Sequence, residues 1–244
     1  MRLRFAPVAL GLLAALGAAA ATTNELSDAE IQGRQLAQQL LLEQRPATNF
    51  TQTGFLRLRD AKGRRTEIPI RFQIFPTESN SSNWLSDYET TATNNPVKLV
   101  IVHAAGQPNG YRLFAGGMQN DLDGPKAMIP FAGSDFWAAD LGLEFFHWPQ
   151  QKVLKMEVKR SRGCTVLEST NPSTNGYWRV VSWIDSESGG IVQAWAYDTN
   201  NKLLKEFYPK DFKKMNGQWQ VGEMEIDNDQ TGSRTRLEFN LKKE

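Results

Sequence analysis

The segment SRTRLEFNL (233–241) alternates two kinds of side chain without interruption. Thr235, Leu237, Phe239 and Leu241 form one set, and charged or polar residues stand between them. Because the side chains of a β-strand point alternately to the two faces of a sheet, one set faces a core and the other faces water. We therefore predict an amphipathic strand at this position.

The same period of two recurs along residues 152–241, which we predict to form one antiparallel meander. Its earlier strands contain the sets Leu154/Met156/Val158, Trp178/Val180/Ser182/Ile184 and Ile191/Gln193/Trp195/Tyr197. Turn-forming pairs such as Gly189-Gly190 and Asn216-Gly217 separate these strands, and Asn-Gly between alternating runs is a strong hairpin signal. Such a sheet has a solvent-exposed face and an apolar face, and the functional question is what the apolar face covers.

The first 21 residues have the features of a secretory signal peptide. Two arginines precede the apolar run 5–21, which ends in three alanines that fit a cleavage site. We predict cleavage after Ala21, export of the protein and one domain over residues 22–244. The alternative is an uncleaved membrane anchor, because these 17 apolar residues approach the roughly 20 that span a bilayer.

Charge and cysteine content narrow the possible functions. The chain has 28 Lys and Arg against 27 Asp and Glu, without the basic excess that is typical of nucleic-acid-binding proteins. The single cysteine, Cys164, has no partner for a disulfide within the chain. We predict that Cys164 is a small buried residue, with a reactive thiol as the alternative. Stability then rests on an ordinary apolar core, which a chain of this length can supply.

One amphipathic helix is predicted after the signal peptide. Ser27 and Glu30 have the spacing of a capping box, and Pro46 closes the segment. The residues that we expect on the apolar face of this helix are Ile31, Leu36, Leu40 and Leu41.

A hairpin and two shorter strands are predicted next. The hairpin has arms at 50–60 and 64–75, and the shorter strands lie around 84–90 and 98–104. The inward residues of the second arm are Ile68, Ile70, Phe72 and Ile74. Because Pro69 has no amide hydrogen, we expect this arm to be an edge strand or to contain a bulge.

An aromatic segment precedes the meander. Helical spacing relates Trp137, Leu141, Phe145 and Trp148, and Pro149 ends the pattern. Two interpretations stay open: this helix packs its aromatic face directly on the sheet, or helix and sheet leave an apolar cavity between them.

Catalytic and metal-binding motifs are absent from the sequence. His103 and His147 are isolated, and a single cysteine excludes a typical zinc site. Asp135, Asp140 and Glu144 lie close in sequence, as acid and base groups for sugar hydrolysis would, but we expect them to cap and solvate the predicted helix. We predict no metal, no cofactor and no catalytic residue.

Three groups of residues together resemble a known family. They are Gly133-Ser134-Asp135-Phe136 with Asp140-Leu141; Cys164-Thr165-Val166-Leu167-Glu168; and Tyr177, Val180, Trp183-Ile184-Asp185, Glu187, Tyr197-Asp198 and Lys202 with Thr235 and Leu237. In this order and spacing they resemble the outer-membrane lipoprotein-sorting family, whose members are the LolA-like periplasmic carriers. The resemblance is to the poorly characterised branch of that family. With the predicted N-terminal helix, the resemblance spans nearly the whole mature chain.

The resemblance implies a mainly β fold with a few helices. The expected architecture is an incomplete, half-open antiparallel β-barrel of meander topology, with helices covering its open mouth. The implied function is a periplasmic carrier that shields the acyl chains of a lipoprotein or lipid, without catalysis. Its implied partners are an inner-membrane transporter and an outer-membrane acceptor. This chain lacks the arginine that the best-known carriers have in a Lys-Arg-Pro context, so that role is transferred to no residue.

The candidate ligand-binding residues are those expected to face the apolar cavity. They are Ile68, Ile70, Phe72, Ile74, Phe136, Trp137, Leu141 and Phe145. We expect a monomer that does not bind nucleic acid. Two alternatives stay open: an envelope sensor or scaffold that binds a partner protein with the same fold, and a secreted glycoside hydrolase.

Overall fold

A computed structural model describes residues 26–46, 48–76, 83–91, 94–122, 124–171, 176–215 and 218–241, except for the side chains of 213–220. The predicted signal peptide and the predicted turn Asn216-Gly217 lie outside the described residues. Across the described ranges, no helix combines the length and the apolar composition that a membrane span requires.

Thirteen strands in the described residues pair into one antiparallel sheet. They are β1 (Phe50–Arg59), β2 (Arg65–Pro76), β3 (Trp84–Thr90), β4 (Val97–His103), β5 (Gly110–Ala115), β6 (Met118–Leu122), β7 (Gln150–Lys159), β8 (Arg162–Thr170), β9 (Arg179–Asp185), β10 (Ile191–Tyr197), β11 (Leu203–Met215), β12 (Gln218–Asn228) and β13 (Ser233–Phe239). Their order across the sheet is β6-β5-β4-β3-β2-β1-β13-β12-β11-β10-β9-β8-β7. The meander predicted for 152–241 is confirmed as the second half of this sheet.

The segment SRTRLEFNL lies in the middle of the sheet, where β13 pairs with β1 and joins the two meanders. Leu237 lies opposite Leu56, and both side chains are buried. The outermost strands β6 and β7 do not pair with each other in the described part of the chain. The sheet therefore forms a half-open barrel, and the predicted fold class is confirmed.

The helix α1 (Asp28–Glu43) begins as predicted, with the carboxylate of Glu30 accepting hydrogen bonds from the amide (2.8 Å) and the hydroxyl (2.7 Å) of Ser27. Its buried residues are Gly33, Ala37 and Leu40, whereas Ile31 is exposed. The predicted apolar face is therefore only partly correct. The face that packs on β7 contains a glycine, which the hydrophobic pattern does not mark.

The lid segment, residues 124–149, connects edge strand β6 to edge strand β7 and crosses the inner face of the sheet. It contains a 3₁₀ turn (Gly124–Ala127), the short helix α2 (Ala138–Leu141) and a second 3₁₀ turn (Glu144–His147). The single helix predicted from the aromatic spacing is wrong. The chain turns just after α2 at Leu143, whose φ of 48° lies in the left-handed region, so the helix does not continue.

Two of the predicted alternating sets fail locally because of β-bulges. Leu154, Met156 and Val158 are exposed, the register with β8 shifts between Val153 and Lys155, and β7 is an edge strand. In β10 the register shifts after Ile191. As a result Trp195 and Tyr197 pack on the outer face with Trp183, while Ala194 and Ala196 face inward. An extra residue in a strand moves all following side chains to the other face.

Buried Cys164 belongs to the small outer cluster around Trp183, so the burial predicted for it is confirmed. The expectation for Pro69 is wrong, because β2 is an interior strand between β1 and β3. Its carbonyl accepts the amide of Thr91 at 2.8 Å, just past the end of β3. The interior strand β2 therefore tolerates Pro69, because the neighbouring strand β3 ends at this position and does not need the missing amide hydrogen.

Candidate functional site

A cavity of about 400 Å³ lies between the inner face of the sheet, the lid segment and the C-terminal half of α1. Its volume falls in the range of roughly 300–1,000 Å³ that is typical of ligand sites. Most of the lining is apolar. The sheet contributes Phe72, Ile74, Tyr88, Phe207, Phe212 and Met224, the lid segment contributes Phe136, Leu141, Leu143 and Phe146, and α1 contributes Leu40.

Four of the eight candidate ligand-binding residues line the cavity. Phe72 and Ile74 line it from β2, and Phe136 and Leu141 line it from the lid segment. They come from segments more than 60 residues apart in the chain, which the sheet and the lid segment bring together. A role for these four residues in ligand binding stays a prediction.

The other four candidates lie outside the lining of this cavity. Ile70 is buried in the core with Ile68 beside it. The Trp137 ring stacks on Tyr177 with 4.5 Å between centroids. Phe145 borders a separate void of only about 20 Å³. None of these four residues lines the large cavity.

Several cavity residues were not predicted. Leu40 and Leu143 enter it from α1 and from the turn that breaks the lid helix. Phe207 lies in β11, and Phe212 lies further along the same strand near the opening, where it is half-exposed. The aromatic residues of β11 could have identified Phe207 and Phe212 from the sequence. Leu143 could not be identified in this way, because its position depends on its left-handed backbone.

Ser86 and His103 place one polar pair in this apolar wall. The Ser86 hydroxyl lies 3.0 Å from His103 Nε2, and both side chains are buried. The His103 ring stacks on Trp84 with 3.5 Å between centroids. Burial lowers the pKa of His103 to about 3, so the imidazole is neutral at neutral pH.

Asp140 ties the lid segment to the second meander. Its carboxylate accepts hydrogen bonds from the Tyr177 hydroxyl at 2.8 Å and from the Trp137 amide at 2.8 Å. The Lys205 ammonium lies 3.3 Å from Asp140 and donates to the carbonyl of Asp135 at 2.6 Å. Burial lowers the pKa of Lys205 to about 8, although Asp140 and Asp135 oppose this shift.

Asp135 ties the lid segment to the centre of the sheet. Its carboxylate accepts hydrogen bonds from the hydroxyls of Ser233 (2.6 Å) and Thr235 (2.8 Å) on β13. The Thr235 hydroxyl in turn accepts the Asp135 amide at 2.9 Å. Two members of the alternating segment SRTRLEFNL thus hold the lid segment.

Glu144 ties the lid segment to the first meander. The Tyr111 hydroxyl on β5 donates to its carboxylate at 2.8 Å, and the Asn109 amide donates to the carbonyl of Gly142 at 2.8 Å. Burial raises the pKa of Glu144 to about 7, although hydrogen bonds from Tyr111 and Asn109 to its own carboxylate oppose this shift. The expectation that Asp135, Asp140 and Glu144 cap and solvate one helix is therefore only partly correct. Asp140 caps α2 through the Trp137 amide, but all three carboxylates also interact with residues of the sheet instead of facing solvent.

Comparisons with known proteins agree on the fold. A family described as "-like: Uncharacterized protein" matches residues 122–242, and no curated protein matches the chain. A DUF1329 family protein from Desulfovibrio piger superposes with a TM-score of 0.74 at 17% identity, covering 88% of this chain and 92% of that one. An outer membrane lipoprotein-sorting protein domain from Vibrio parahaemolyticus gives 0.73 at 19%, with 87% and 92% covered. A LolA superfamily protein from Nitrosomonas europaea gives 0.60 at 14%, with 88% and 93% covered.

The chain has the LolA-like fold. The resemblance stated from the sequence is confirmed at the level of the fold, because each of these structures covers 87–88% of the chain. Within the described residues, no group of three His, Cys, Asp or Glu side chains is placed to hold a metal ion.

Proposed function

We propose that this protein is a carrier of lipidated or otherwise hydrophobic ligands and that it works without catalysis. The observation that carries the proposal is the cavity of about 400 Å³ between sheet and lid segment. Its lining is apolar where an ordinary core would be filled by side chains, and close packing is the rule in protein interiors. An apolar cavity of this size supports a resident hydrophobic ligand.

The energetics favour an acyl chain as the ligand. Each methylene transferred from water to an apolar environment contributes about 0.8 kcal/mol, so ten buried methylenes contribute about 8 kcal/mol. The lid segment is held by buried hydrogen bonds of Asp135, Asp140 and Glu144. Each hydrogen bond to a charged group contributes about 1.5–3 kcal/mol net, so the cost of opening the lid segment is comparable with the contribution of about ten buried methylenes.

The periplasm is the proposed location. The basic and apolar N-terminus supports export. A structural relative described as an outer membrane lipoprotein-sorting domain also supports it. An inner-membrane donor and an outer-membrane acceptor would be the partners of such a carrier, and the acyl chains of a lipoprotein or lipid would be its cargo.

The test is to purify the full chain from cells under non-denaturing conditions and to identify bound lipids by native mass spectrometry and lipid extraction. Uptake of a fluorescent fatty-acid probe by the delipidated protein gives an affinity. Substitution Ile74→Trp adds bulk inside the cavity and is expected to abolish uptake. The matched control Val158→Trp introduces the same side chain at an exposed position and is expected to leave uptake unchanged.

Protein that never contains lipid and takes up no probe would contradict the proposal. Uptake that is equal in both tryptophan variants would instead place the probe outside the cavity. A stable protein partner recovered without lipid would favour the scaffold alternative.

A further inference from the structure

A groove of about 330 Å³ lies on the outer face of the sheet, where β2, β1 and β13 run side by side. Side chains that alternate with its lining, such as Leu56 and Leu237, are buried in the core on the other face. The groove is therefore separate from the cavity under the lid segment. Five arginines line it: Arg57 and Arg59 from β1, Arg65 from β2, and Arg234 and Arg236 from β13.

Three of these arginines stand in one row across the strands. Arg59 lies directly opposite Arg65 on one side and directly opposite Arg234 on the other. Because neighbouring strands are about 4.8 Å apart, the row brings three guanidinium groups within a span of roughly 10 Å. Like charges directly opposite each other destabilise a sheet, so the row does not serve the stability of the fold.

Acidic residues compensate three of the five arginines. Arg57 pairs with Glu238 at 3.0 Å and with Glu67 at 3.4 Å, and Glu67 also lines the groove. Arg234 and Arg236 pair with acidic side chains of β12, which are Glu223, Glu225 and Asp227. These acidic side chains are more buried than the two arginines. The exposed charge on the β13 side of the groove is therefore mainly positive.

Arg59 and Arg65 carry the uncompensated charge of the groove. Both residues are exposed, and within the described residues their side chains have neither an ion pair nor a hydrogen bond. Lys62, in the turn of the same hairpin, is exposed as well, whereas Arg64 pairs with Asp60 at 2.6 Å. The groove thus presents free guanidinium groups to a ligand that approaches from solvent.

We propose that this groove docks on the phosphate groups of an anionic phospholipid membrane. A guanidinium group can form two parallel hydrogen bonds with phosphate oxygens, and Arg59 and Arg65 offer two such forks. The whole chain has 28 Lys and Arg against 27 Asp and Glu, so its attraction to an anionic surface is local to the groove. The inference concerns the outer face of the sheet and does not depend on the carrier function.

The exposure of the two arginines favours a membrane over a single free anion. Exposed charges in water interact weakly and are screened by salt, so one phosphate ion gains little from them. A membrane presents many phosphates, and each basic residue near an anionic bilayer strengthens binding about fivefold. A protein partner is disfavoured because Leu58 is the only apolar residue in the described lining, whereas the centre of a protein interface is largely apolar.

The experiment measures co-sedimentation of the delipidated protein with vesicles of phosphatidylcholine that contain either none or about 30% of phosphatidylglycerol. Binding is expected with the anionic vesicles and not with phosphatidylcholine alone. It is expected to weaken about tenfold or more between about 0.05 M and 0.5 M salt, because exposed charges are screened. Inorganic phosphate at about 1 mM and constant ionic strength is expected not to displace the vesicles.

Paired substitutions test the arginines directly. Arg59→Gln together with Arg65→Gln is expected to weaken binding to the anionic vesicles about 25-fold, which is about fivefold for each charge. The matched control is Arg34→Gln together with Lys126→Gln, which removes the same charge from exposed positions outside the groove. This control is expected to change binding less than about twofold. In thermal melting the arginine variant is expected to be at least as stable as the native protein, because like charges no longer oppose each other.

The outcomes separate this inference from the carrier function. Ile74→Trp is expected to lose uptake of the fatty-acid probe and to keep vesicle binding, because Ile74 lines the cavity and not the groove. Equal losses in the two paired variants, or equal binding to both kinds of vesicle, would overturn the docking site and leave the carrier function intact.

Two other results would also overturn the docking site. Displacement of the vesicles by inorganic phosphate would assign the groove to a free ion. Binding of polyglutamate that depends on Arg59 and Arg65, without binding of vesicles, would assign it to an acidic protein.

Discussion

Replacing Gly33 by alanine sets two effects of known size against each other. Alanine in place of glycine in a helix interior stabilises the helix by about 1 kcal/mol. A Cβ on residue 33, however, would lie 2.5 Å from the amide nitrogen of Lys152 and 2.6 Å from the carbonyl carbon of Gln151. Ordinary contacts of a carbon atom are about 3.5–4.0 Å, so α1 must move away from β7 by about 1 Å.

The clash is expected to win. The atoms that the new Cβ meets belong to the backbone of a strand, which cannot turn aside as a side chain can, and overpacking costs typically about 1–3 kcal/mol. We therefore expect Gly33→Ala to lower the free energy of unfolding by up to about 2 kcal/mol, the overpacking cost less the helix gain. Because α1 contributes Leu40 to the cavity, the displaced helix is also expected to accelerate release of a bound probe.

Urea unfolding monitored by tryptophan fluorescence measures the first effect, and stopped-flow dilution of the probe-loaded protein measures the second. Gln35→Ala is the matched control, because Gln35 is exposed in the same helix and its replacement is expected to change stability by less than about 0.5 kcal/mol. If Gly33→Ala proved about 1 kcal/mol more stable than the native protein, with unchanged probe release, the close approach of α1 to β7 would be refuted.

Two further substitutions test the electrostatics. Burial raises the pKa of Glu144 to about 7 from 4.5, so the folded protein retains a proton that the unfolded chain releases, and native stability falls as the pH rises from about 4.5 to 7. Glu144→Gln is expected to remove this loss and, in thermal or urea unfolding, to be up to about 3 kcal/mol more stable than the native protein at pH 8 but not at pH 4.5. Exposed Glu187→Gln is the control. Unfolding curves of Glu144→Gln that coincide with those of the native protein at both pH values would contradict the argument. Arg59 lies opposite Arg65 on β2 and Arg234 on β13, and like charges opposite each other destabilise a sheet, so Arg59→Glu is expected to raise the free energy of unfolding by about 0.5–1 kcal/mol. The gain should shrink in 1 M salt, and a salt-independent loss of stability would count against it.

The sheet was predictable because its signals are local. Alternation in residues 233–241, the hairpin of β1 and β2 and the capping box at Ser27 each depend on neighbours within a few residues. Such patterns predict which side chains share a face and where strands turn. They do not reveal a bulge, and for this reason Trp195 was grouped with Ile191, although the two side chains lie on opposite faces of the sheet.

The lid segment was not predictable because its contacts are distant in sequence. Spacing alone gave a helix through Leu141 and Phe145, but Asp140 bonds Tyr177 and Glu144 bonds Tyr111, each more than 30 residues away. These buried hydrogen bonds determine the path of the chain, and the turn at Leu143 follows from them. Tertiary contacts of this kind routinely override local helix preference.

The division between core and cavity depends on the same path. Ile70 and Ile74 belong to one alternating set of one strand and face the same side of the sheet. Ile70 lies in the packed core, whereas Ile74 borders the cavity that α1 and the lid segment leave open. Since both positions select apolar side chains, composition cannot separate them.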